Sequence, residues 1–260
     1  MIFSVAHMTI SYDTTGAGPA VLLLHSTVCD RRMWDGQLAA LAGAGHQVVR
    51  VDLRGFGESP AADQAYNDAD DLVEVLAELE VDRVALVGAS GGGAVALEFA
   101  ARFPERVGAL GLLCTAAAGL EPGDGLRAFW AKENELLAAG DVAGATDLNV
   151  TTWLGPDAGD DARATVRLMQ RHAFEVQLAA GDVEGIEYES SPADITAPTL
   201  LVTGAHDFPE FGGVSDKLAG LIPGARRLDL EWAGHLPAVE RPEETAALLV
   251  GFLAETRWTK

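Results

Sequence analysis

Cysteine is nearly missing: 260 residues contain only Cys29 and Cys114. No C-x-x-C spacing links them, so they build neither a disulfide framework nor a zinc site and read as free thiols. Basic residues are also scarce, 18 Lys and Arg against 39 Asp and Glu, a net charge of −21. A chain this acidic repels phosphate backbones and anionic lipid, which argues against nucleic acid and membrane as partners. No apolar run is long enough for a membrane span. The N-terminal "MIFSVAHMTISYDTTGAG" lacks the basic start of a signal peptide and alternates like a strand. The expected location is the cytoplasm. No fixed-period repeat is visible.

What is present is ordinary globular composition, 48% hydrophobic and 22% charged, at a length usual for one α/β domain. Continuous apolar runs alternate with helical patterns. "AVLLLH" at 20–25, "HQVVRVD", "RVALVGA" and "VGALGLLC" read as strands. "DADDLVEVLAELE" at 68–80 reads as an amphipathic helix with aspartates in its first turn, and "GGAVALEFAARF" as another helix. This order predicts a mostly parallel sheet with helices on both faces. The rhythm stops near Ala116. From about 118 to 190 only helical segments follow, before "PTLLVTGAHD" restores the strand pattern. The expected organisation is a core of 1–117 and 191–260, interrupted by a helical lid at 118–190.

Between the third of these strands and its helix stands Gly88-Ala89-Ser90-Gly91-Gly92, a G-x-S-x-G pattern. A nucleophile in a strained strand-to-helix turn needs neighbours with almost no side chain, and the helix start offers free N–H groups to an oxyanion. A serine needs a base. Of the six histidines, His235 follows the strand "ARRLDLE" by a short loop, on the expected carboxyl edge of the sheet. The base needs an acid, and Asp207 ends "TLLVTGAHD" on the same edge. The end of the strand after the nucleophile reads Cys114-Thr115-Ala116-Ala117 and offers no competing carboxylate. The order Ser90, Asp207, His235 is that of α/β-hydrolases.

"LLLHSTVCDRRMW", "VDLRGFGESP", "VGASGGG", "FPERVGALGLL", "TLLVTGAHD" and "AGHLPAVERPEETAALLVGFL" together resemble the α/β-hydrolase superfamily over nearly the whole chain. The likeness is nearest to its small lid-bearing carboxylesterases, enol-lactonases and cofactor-free perhydrolases. The resemblance implies an α/β-hydrolase fold with an inserted helical lid and no cofactor or metal. It implies a serine hydrolase that cleaves an ester or lactone of a small molecule through an acyl-enzyme. It also implies that the backbones of Thr27 and Gly91 form the oxyanion hole. Two departures stand out. Ser26 replaces a usual glycine, with expected strain if its φ is positive, and Gly91 lacks the usual side chain, expected to enlarge the pocket. Met33, Trp34, Trp130, Trp153 and His172 are candidate substrate contacts. The alternative is a weakly hydrolytic or non-hydrolytic member: a small-ligand receptor, perhydrolase or lyase. Whether the chain is a monomer or homodimer is open.

Overall fold

The computed structural model describes residues 10–181, 183–256 and 258. Seven strands form one sheet: β1 (Tyr12–Gly16), β2 (Ala20–Leu24), β3 (Gln47–Val51), β4 (Val84–Ala89), β5 (Val107–Leu113), β6 (Thr199–Gly204) and β7 (Arg226–Leu230), in the order β1-β3-β2-β4-β5-β6-β7. Every neighbouring pair is parallel except β1 with β3, where Tyr12 faces Val51. Parallel strands need cover on both faces, and β2, β4 and β5 are buried along their whole length. The first part of the strand expected at the N-terminus, with His7, lies outside the described residues; its continuation is the edge strand β1.

Period-two alternation divides the core. Val21 and Leu23 of β2 point to one face, with Trp34, Leu41, Leu249 and Phe252; Leu22 and Leu24 point to the other, with Leu72, Leu76, Phe99 and Leu218. The first face is covered by α1 (Asp35–Gly43), which follows a 3-10 turn at Arg31–Trp34, and by the last helix of the chain. The second is covered by α2 (Asp68–Glu78) and α3 (Gly91–Arg102). The start of α2 is set locally: the Asn67 side chain accepts from Asp70 N at 3.1 Å, and Asp68, Asp70 and Asp71 suit the helix dipole.

Between β5 and β6 come α4 (Asp124–Ala138), α5 (Val142–Trp153) and α6 (Asp160–Ala179), with no named strand among them. The chain then continues through α7 (Pro209–Leu221), a short α8 (Pro237–Glu240) and α9 (Pro242–Thr256). This is the mostly parallel, helix-flanked sheet of an α/β-hydrolase with an inserted helical region. Among the described residues no helix is long and apolar enough to cross a membrane.

Candidate active site

Strand β4 runs straight into α3 with one residue between them. That residue, Ser90, takes φ 52 and ψ −117, a conformation that costs a non-glycine residue of order 1–3 kcal/mol. The turn closes only because its neighbours lack side chains: a Cβ on Gly88 would run into the backbone of Gly92, and one on Gly92 into His25 O. Two hydrogen bonds tie this turn to the end of β5, Ser90 N to Leu113 O and Ala116 N to Ser90 O, each 3.0 Å.

The next ends along the sheet carry the candidate acid and the candidate base. Asp207 follows β6 and His235 follows β7, and His206 N donating to Ala233 O at 2.9 Å stitches the two loops together. His235 Nδ1 and Asp207 Oδ2 are 2.7 Å apart, with both side chains nearly closed to solvent at 2% and 3% exposure. The other carboxylate oxygen accepts from Phe208 N at 2.7 Å. These bonds orient the imidazole, with Nδ1–H donating to the carboxylate. The rings of Trp153 and Phe211 lie 4.5 Å and 4.4 Å from the imidazole and wall it off from water. His235 N donates to Trp153 O at 2.8 Å, so the end of α5 and the base loop are joined.

The third member of the cluster is a thiol. Cys114 Sγ, one carboxylate oxygen of Asp207 and one ring nitrogen of His235 all lie within 4.8 Å of one another. Cys114 follows β5 at φ 45, a second strained residue on this edge, and its thiol donates to Gly234 O at 3.6 Å. Burial first, then the Asp207 charge, push the thiol well above its ordinary range. It therefore rests as S–H.

This cluster corrects the sequence reading. The side chains gathered here are Cys114, Asp207 and His235. The expected Ser90–His235–Asp207 triad, the acyl-enzyme on serine, and the assignment as a serine esterase of the carboxylic ester hydrolase type are not what the cluster supports. The end of β5 is followed by a thiol and not by a carboxylate, so a pattern of strand-end carboxylates does not reveal Cys114.

Around this centre the other candidates are scattered. Thr27 and Gly91 face each other: a Cβ on Gly91 would stand 2.5 Å from Thr27 Cγ2. The space expected to be open beside Gly91 is therefore filled by the Thr27 methyl. Ser26 carries no strain, because the non-glycine residues with positive φ are Glu80, Ser90 and Cys114 among those described. It is wholly buried, its O accepting from Cys29 N at 2.8 Å. Met33 and Trp34 are packed in the core, Met33 Sδ accepting from Ser26 N at 3.2 Å. Trp130 is exposed on α4. His172 of α6 has Nε2 2.8 Å from Gly57 O and lines a cavity of about 330 Å³ with Arg31 and Arg32. Of these five candidates, Trp153 has its ring against that of His235.

One group that sequence reasoning missed is Glu240, which accepts from Gly234 N at 3.0 Å and from Leu236 N and Gly155 N at 3.1 Å. Its signal was a carboxylate five residues after the candidate base.

Known proteins agree with this architecture. The profile of the Alpha/beta hydrolase family matches residues 21–248. A pimeloyl-acyl-carrier-protein methyl ester esterase of Aeromonas hydrophila subsp. hydrophila is 30% identical over 95% of this chain and 100% of its own. A 2-hydroxy-6-oxononadienedioate/2-hydroxy-6-oxononatrienedioate hydrolase of Cupriavidus pinatubonensis is 29% identical over 94% and 90%. The structure of a thermophilic esterase from Thermogutta terrifontis superposes with a TM-score of 0.80 at 26% identity, covering 96% and 94%. The strained strand-to-helix turn, Asp207 and His235 on successive strand ends, and these likenesses give one conclusion: the chain belongs to the α/β-hydrolase family.

Proposed function

We propose that this protein is a hydrolase of a small-molecule carbonyl substrate, with the His235–Asp207 pair as its general base. The observation that carries the reading is the 2.7 Å bond between Nδ1 and Oδ2, buried under Trp153 and Phe211 on the carboxyl edge of the sheet. A base held in one tautomer and shielded from water is what proton transfer from an attacking group needs. Thr27 and Gly91, face to face across the edge, are the candidates whose backbone N–H groups stabilise the oxyanion. Segment 118–190 serves as the lid, with Trp153 as its contact to the reacting centre. The relatives named above are themselves an esterase and a hydrolase, which supports hydrolysis as the reaction class. The two buried free thiols suit a reducing compartment, and the cytoplasm is the proposed place of action.

The test is turnover of a graded panel of p-nitrophenyl esters, lactones and thioesters by wild type and His235→Ala. The variant is expected to lose at least about 1,000-fold in kcat. Wild-type turnover in His235→Ala overturns the reading. Cys114→Ala and Ser90→Ala, run in parallel at unchanged thermal midpoint, identify the attacking group by which one abolishes turnover.

A further inference from the structure

The backbone beneath His235 is pinned at three successive amides. Gly234 N and Leu236 N, on either side, both donate to the Glu240 carboxylate, at 3.0 Å and 3.1 Å. His235 N between them donates to Trp153 O at 2.8 Å. The second Glu240 oxygen also accepts from Gly155 N at 3.1 Å, just past the end of α5. The packing is close on every side: a Cβ on Gly155 would lie 2.5 Å from Glu240 Oε2 and 2.9 Å from Gly234 N.

The geometry assigns Glu240 as a positioning residue for His235: its carboxylate clamps the base loop to the end of α5, and so sets the angle at which the ring meets Asp207. The inference rests on the reading of His235 as the base. With three consecutive N–H groups committed, the imidazole keeps only its two side-chain torsions, and Asp207, Trp153 and Phe211 restrict those. A carboxylate suits the task because two acceptor oxygens serve three amides. An amide in its place has one acceptor and turns an NH2 group toward N–H donors. Losing the clamp leaves buried N–H groups unpaired beside the base and frees the loop to shift. The same carboxylate reaches Gly155, so the position of α5 and the aim of the base are set together.

The experiment compares Glu240→Gln, Glu240→Asp and Glu240→Ala in the full chain. It measures kcat and KM on the ester that wild type turns over best, the thermal midpoint, and the low-field proton resonance of His235 Nδ1–H in the bond to Asp207. The expected result for a folded Glu240→Gln is a kcat lower by about 100-fold, as a misplacement on the order of 1 Å produces. KM should stay within about twofold, and the low-field resonance should shift or broaden. Glu240→Asp, which keeps both oxygens, should recover part of kcat and of the resonance. Unchanged kcat and resonance in folded Glu240→Gln or Glu240→Ala overturns the assignment. So does a fall in kcat that only follows the folded fraction. If wild type turned over no substrate, the hydrolase reading would fail alone, since the resonance still reports whether Glu240 sets the ring.

Discussion

Gly91 stands so close to Thr27 that a Cβ on it would lie 2.5 Å from the Thr27 methyl. The first turn of α3 and the loop after β2 are therefore fitted to each other at the one point where two candidate oxyanion amides meet. Gly91→Ala must push that methyl aside, with an expected loss of about 1–2 kcal/mol in stability and a drop in kcat. Thr27→Ser deletes the methyl and keeps the hydroxyl. The double variant Thr27→Ser/Gly91→Ala should recover most of the loss, a coupling that a double-mutant cycle on urea midpoints reads directly. Strict additivity of the two substitutions would contradict the contact.

Trp153 joins the inserted helices to the base in two ways, through its ring against His235 and through its carbonyl on His235 N. Its indole N–H donates to Asn149 Oδ1 at 2.8 Å. Trp153→Phe keeps the ring contact and loses that bond, with an expected cost of about 1 kcal/mol and activity largely kept. Trp153→Ala opens the wall of the site, with an expected cost of about 3–5 kcal/mol and a much lower kcat/KM. Equal activities in the two variants would show that the ring does not shield the base.

Burial pushes both the Cys29 and Cys114 thiols well above their ordinary range, and neither is exposed. Ellman's reagent should therefore leave native protein unlabelled and titrate two thiols in denaturant. Rapid native labelling at Cys114 alone would mean that it rests as thiolate, against the protonated state drawn here.

Asp68 opens α2, and its carboxyl is pushed up to about 6, chiefly by burial, with Asp71 adding to the rise and Arg54 opposing it. The folded protein holds this proton more tightly than the unfolded chain does, where aspartate titrates near about 3.9. The resulting stability is complete below about pH 4 and is lost as pH rises through about 6. Asp68→Asn removes the ionisation, so it should stabilise the protein at pH 7.5 by on the order of 2 kcal/mol after allowing for partial exposure. At pH 4 it should give no gain. Chemical denaturation at both pH values checks this, and an equal gain at both would rule out ionisation as the cause.

The sheet and its helices were legible because buried parallel strands are continuous apolar runs, and because "GASGGG" at 88–93 permits only a tight turn there. Asp207 and His235 were legible as strand ends on one edge. Cys114 was not, because its place in the cluster comes from lateral adjacency. Cys114 N donates to Val202 O at 2.8 Å, which draws the end of β5 alongside β6 and turns the thiol toward Asp207. Nor does local sequence reveal a backbone dihedral: the strain expected at Ser26 is absent, while Cys114, three β-strands later, carries it. The filling of the space beside Gly91 depends on how two distant loops meet, and no pattern within either loop encodes that.

The order of strands has a consequence for how each copy of the protein comes into being. Asp207 and His235 follow β6 and β7, which add to the sheet in turn beyond β5. A chain that ends before β6 holds Ser90 and Cys114 but neither Asp207 nor His235. On the proposed function, a chain cut short before His235 is therefore silent, because the pair that moves the proton is the last part of that site to be made.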